Sequence, residues 1–208
     1  MLSMLINIKG AVFQISPSDY GTPKSKESIM AGNTLVRSLH DLSAAAWFGG
    51  SLMGAVGLNG AAAEAKDPTE RTRLSTVGWA RWTPVQIAAF GAHAVGGIGL
   101  IAANKGRLAG QSGAVANTVV KSAITVVGMA ASLYSGMLGK KVGELSQHGA
   151  AGATEPKPGA PEELKKAQSQ LKTLQWILPA LSGAVIVLGA NQGEQQRPKN
   201  LLDGIFNR

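Results

Sequence analysis

Four windows of the chain, 42–63, 82–104, 122–139 and 174–192, contain no Asp, Glu, Lys or Arg. A helix in water would carry charged residues along its outer face, and these windows have no such face. With their flanking turns they predict spans at about 36–63, 82–104, 113–139 and 172–192. At 1.5 Å per residue, about 20 residues reach the roughly 30 Å of a bilayer's hydrocarbon core. The pattern predicts an all-α fold: a four-helix transmembrane bundle with amphipathic interfacial helices. Three regions follow: an N-terminal extension or amphipathic arm (1–32), the membrane domain (33–193) and a polar C-terminal tail (194–208).

The connections carry the stop and start signals. Asn33 or Thr34 is expected to cap the first helix. Asp67, Pro68 and Glu70 supply a cap, a first-turn proline and a first-turn acid for the next. Leu74, Val77 and Trp82 are expected against the membrane, with Trp79 and Trp82 at its interface, where indole rings prefer to sit. The segment "ATEPKPGAPEE" predicts a flexible connection. Pro161, Glu162 and Glu163 then open a helix that runs into the fourth span and is expected to kink at Pro179. "MLSMLINIKGAVFQI" makes a poor signal peptide, because it lacks a basic start and Lys9 interrupts it. Two readings stay open there: an upstream extension with the natural start at Met30, or an arm on the membrane.

The first window is built from Ala and Gly rather than Leu and Ile. In lipid, helices gain nothing by hiding Leu from hydrocarbon, so association rests on close approach at small residues. Gly50 and Gly54 show the four-residue spacing in the first span, and Ala92 and Gly96 in the second. Gly128, Ser132 and Gly136 do so in the third, and Ala180 and Ala184 in the fourth. These are the expected helix-packing positions. A leftover stripe would serve a homo-oligomer or another membrane subunit.

Charge changes the picture in one respect. Lys and Arg number 20 against 12 Asp and Glu, a formal charge of +8. The basic residues lack interleaved aromatics, so the excess reads as membrane topology and not as nucleic-acid binding. The short loop with Lys105 and Arg107 carries no acid, which places it and both termini on the cytoplasmic side of a bacterial plasma membrane. There is no cysteine, which removes disulfides, thiolate metal sites and cysteine nucleophiles.

Five polar residues fall within or beside the spans. Arg37, His40 and Asp41 share one helix face at i, i+3 and i+4. Lys121 enters the third span from the same side, and an ion pair between Asp41 and Lys121 is expected, since an unpaired charge at that depth is costly. The alternative is that Lys121 snorkels to the interface. His93 sits in mid-span and is expected to hydrogen-bond a backbone carbonyl or a hydroxyl. A haem held by His40 and His93 is a further alternative. Placing the two about 9 Å and about 16 Å from the cytoplasmic ends argues against a shared iron. His148 reads as surface loop. No phosphate-cradling loop, HExxH, GxSxG or buried carboxylate pair is present, so no cofactor, metal or enzymatic activity is expected.

"LHDLSAAAWFGGSL", "GWARWTPVQ", "LGKKV" and "LQWILPALSGAVIVLGANQGEQQ" together resemble an uncharacterised family of small multi-pass membrane proteins from actinobacteria, over about residues 30–198. The "LH…AAAWFGG" stretch is also similar to the first helix of copper-resistance D-type and transmembrane-protein-205-like domains, without a ligand set. The resemblance implies fold and location and no mechanism. The expected role is structural or accessory, with association through small-residue faces. The alternatives are a small oligomeric transporter or channel using His93 with Asp41 and Lys121, and a haem-binding redox subunit.

Overall fold

A computed structural model describes residues 5–8, 11–14, 23–105 and 112–194, with the side chains of 5–8, 11–14, 23–33, 112 and 114 excluded. Strands β1 (Leu5–Ile8) and β2 (Ala11–Gln14) form an antiparallel hairpin, with Leu5 opposite Gln14 and Ile8 opposite Ala11. The N-terminal region expected as an extension or an arm thus contains strands. Arg107 and the tail beyond residue 194 lie outside the described residues.

Four long rods follow. The first is α1 (Pro23–Met53), a π-helical segment (Gly54–Leu58) and α2 (Asn59–Ala63) in one run. It begins at Pro23, so Asn33 and Thr34 lie inside the helix and do not cap it. The others are α3 (Pro68–Ala103), α4 (Ser112–Glu144) and α5 (Glu162–Glu194). The amphipathic segments flanking the second and fourth spans are the continuous N-terminal parts of α3 and α5. Asp67 does cap α3, its carboxylate accepting from the Thr69 amide at 2.8 Å. α5 runs unbroken through Pro179, and the Ser182 hydroxyl binds the Leu178 carbonyl one turn away.

Three of these helices, over Pro68–Ala103, Val115–Glu144 and Glu162–Glu194, are long and apolar enough to cross a membrane. Among the described residues, no helix of the Ala- and Gly-built first rod is one of them. Outward-facing Ile98, Val126 and Val187 are each about two-thirds exposed, at 69%, 66% and 68%. Such a surface suits hydrocarbon better than water.

The rods run antiparallel in sequence order, and α1 packs on both α3 and α5. Glycines on one helix receive large side chains from the other. Gly99 faces Val36, Gly54 faces the Trp79 ring, Gly50 the Trp82 ring and Gly78 faces Leu58. Trp79 and Trp82 therefore fill notches in the first rod. At Gly96 the backbones of α1 and α3 meet closely, a Cβ there falling 2.8 Å from the His40 nitrogen. Gly128 receives Trp47, whose indole donates to Ser132 at 3.2 Å. Ala92 and Ala184 are half-buried, while Gly136 and Ala180 face outward.

The α4–α5 connection, expected to be flexible, is packed against the bundle end. Arg71 donates to the Ala65 carbonyl (2.7 Å) and the Ala151 carbonyl (3.0 Å). The buried Gln168 amide donates to the Gly152 and Ala153 carbonyls. Gly149 takes φ +66°, a left-handed conformation that glycine adopts without strain, and lies against Pro68. His148 is exposed, as expected for a loop.

Candidate functional site

At the opposite end of the bundle, Arg37, His40, Asp41, His93 and Lys121 line one cavity of about 310 Å³. The sequence had singled out the same five residues. Helical spacing puts the first three on one face of α1, and Gly96 and Gly97 let α3 press against that face. His93 lies one turn before Gly96, so the two imidazoles come together. Their ring centroids are 4.0 Å apart and the planes are tilted by 32°.

Hydrogen bonds fix how each ring is held. His93 Nδ1 lies 3.1 Å from the His40 carbonyl oxygen. A carbonyl only accepts, so Nδ1 carries the hydrogen and Nε2 of the neutral ring keeps its lone pair. The Ser43 hydroxyl donates to the same carbonyl at 2.8 Å. The carbonyl partner expected for His93 is therefore found. His40 donates from Nδ1 to the Asp41 carboxylate at 2.9 Å. Both histidines are buried, whereas the Asp41 side chain is 59% exposed.

The pairing differs from the expected one. Asp41 bonds His40, and Lys121 donates instead to Gln192 Oε1 at 3.0 Å. Gln192 in turn donates to the Thr118 hydroxyl at 3.0 Å. Lys121 thus has a partner, but on α5. The separation expected between the histidine depths is also corrected, because the close crossing at Gly96 brings the rings level. A shared haem still does not fit. Iron ligated from both sides at about 2 Å per nitrogen would hold the ring centroids well beyond 4.0 Å, with a porphyrin plane between them. Among the described residues, no three His, Asp or Glu side chains converge as a metal-ligand set.

Sequence reading missed Gln192, Asn104 and Thr118, which complete the cavity wall. A signal was present: Thr118, Lys121, Ser122 and Thr125 repeat at i, i+3, i+4 and i+7, a polar stripe on an otherwise apolar helix. It also missed Asn59 at the other end. Asn59 is buried, donates to Gln175 (3.0 Å) and accepts from Ser75 (3.0 Å) and from the Trp79 indole (3.0 Å).

No protein-family model, curated protein or solved structure matches the chain. The functional reading therefore rests on the geometry.

Proposed function

We propose that the chain is an integral protein of a bacterial plasma membrane that carries a small anionic solute, with the His40–His93 pair taking up a proton. The observation behind this reading is the convergence of five ionisable side chains from three helices on one cavity of about 310 Å³. Ionisable groups within membrane helices are costly and mark substrate or proton paths. Arg37 and Lys121 outnumber Asp41, so the cavity favours a net negative guest. Each imidazole has its Nδ1–H engaged and holds Nε2 for a proton. Two charged rings 4.0 Å apart would repel, so the pair suits one proton at a time.

The test is uptake of labelled small carboxylates and of phosphate into proteoliposomes, with and without a pH gradient. His93→Ala and Lys121→Met are expected to abolish protein-dependent uptake, while Gly91→Ala retains it. Uptake by His93→Ala equal to that of the unaltered protein would overturn the reading.

A second reading, the structural or accessory role, is favoured by the outward-facing small positions Gly136 and Ala180. It predicts a neighbouring subunit that stays attached after gentle extraction. A native mass equal to that of a single 21.4 kDa chain would count against it. Membership of the actinobacterial family that the sequence resembles belongs to the same proposal.

A further inference from the structure

A second cavity, of about 820 Å³, lies between α3 and α4, with its floor on the first rod and α5. It is a groove open to the side, because these two helices meet less closely than the other packed pairs. The cause lies in α4. A Cβ built at Gly136 or Gly139 meets nothing within 4 Å, so this face offers nothing to fill the gap. Along α3 the groove runs from Thr76 to Phe90, about 20 Å at the helical rise. Along that length an extended hydrocarbon chain fits.

Two groups on α4 describe the polar end of such a guest. Lys140 lies at the rim with its side chain 82% exposed, and its contact with Glu144 is long at 4.0 Å. Ser135 lies about 7.5 Å further in along the helix. Its hydroxyl is buried and makes no hydrogen bond among the described residues. A buried hydroxyl without a partner is costly, which a fitting acceptor would relieve. In a phospholipid, ester carbonyls stand a similar distance inward of the phosphate.

We propose that the α3–α4 groove binds one anionic phospholipid, with its phosphate at Lys140, its glycerol along Gly139 and Gly136, and an ester carbonyl accepting from Ser135. The proposal rests on the membrane reading but is independent of the solute cavity at the other end.

The full-length protein in mild detergent would be titrated with phosphatidylglycerol or phosphatidylcholine, and bound lipid counted by native mass spectrometry. One phosphatidylglycerol per chain is expected, with phosphatidylcholine bound about tenfold more weakly. The Gly136→Leu/Gly139→Leu variant, which fills the groove, is expected to lose that lipid. Ser135→Ala, which removes only a hydroxyl and leaves the packing intact, and Lys140→Gln are each expected to weaken it about tenfold. Retention by the filled variant at the unaltered level would overturn the site, and equal binding of the two lipids would overturn its assignment to an anionic one. Alkaline washing of membranes separates the two levels of the argument. A chain that stays in the pellet yet holds no lipid overturns this proposal alone, and a chain released by the wash overturns the membrane reading with it.

Discussion

Gly96 is the position at which the first rod and α3 touch through their backbones. A methyl group there would meet the His40 nitrogen and Cβ at 2.8 Å and its Cα at 2.9 Å, and backbone does not give way as a flexible side chain does. Gly96→Ala should therefore separate the helices and cost about 1–3 kcal/mol. In detergent this would read as a lowered midpoint of thermal unfolding. Gly91, on the same helix, has nothing within 4 Å of its missing Cβ, and Gly91→Ala should leave stability unchanged or raise it by up to about 1 kcal/mol. Equal gains for both variants would show that helix propensity, and not contact, governs these sites. At this scale the sequence identified the right residues more reliably than their partners. His40, Asp41, His93 and Lys121 stood out because charge and imidazole are rare in apolar spans. That Asp41 pairs with its neighbour His40, and Lys121 with Gln192 on α5, depends on how each helix is rotated. Periodicity in one helix says nothing of the rotation of the next.

Elements differ in how openly the sequence announces them. The start of α3 was legible, since Asp67, Pro68 and Glu70 form a local signal that needs no tertiary context. The Thr69 amide and hydroxyl bonded to the Asp67 carboxylate hold its pKa below the ordinary value of 3.8. A depressed carboxylate pKa stabilises the fold above that value, and the contribution is lost as the pH falls through the lowered one. The Thr69 amide resonance should accordingly shift with a midpoint below 3.8, and Asp67→Asn should keep the cap but remove the titration. The π-helical segment Gly54–Leu58 was not legible, because its apolar residues suit an α-helix equally well. Its consequence is visible only in the fold: the wider turn precedes Asn59, which joins Ser75, Trp79 and Gln175. π-helical turns are often found at functional sites, and here one sets a buried polar junction. Asn59→Ala would strip partners from three side chains and is expected to cost about 1–3 kcal/mol. An unchanged unfolding midpoint and unchanged Trp79 fluorescence would remove the junction from the account.

Across the whole molecule, four rods were readable from charge-free windows, but the windows are not equivalent. α3, α4 and α5 are long and apolar enough to cross a membrane, and no helix of the first rod qualifies among the described residues; its Gly and Ala contribute little to transfer into hydrocarbon. The same composition provides the notches at Gly54 and Gly50 that accept Trp79 and Trp82, while Leu58 fills the notch at Gly78 of α3. The first rod is thus shaped for its neighbours more than for lipid. Insertion scales give Leu, Ile, Phe and Val about −0.3 to −0.6 kcal/mol each and charged residues about +2.5 to +3.5 kcal/mol at the helix centre. A segment poor in the former gains little alone, and Arg37 and Asp41 near its entry weigh against it. Placed singly in a translocon insertion reporter, residues 36–63 should insert inefficiently, whereas the spans of α3, α4 and α5 should insert on their own. In the full chain the first rod should be protected from aqueous labelling at positions such as Ala44, because α3 and α5 cover it. Efficient insertion of the isolated segment would mean that its small residues are not a concession to packing, and the dependence of the first rod on its neighbours would fall.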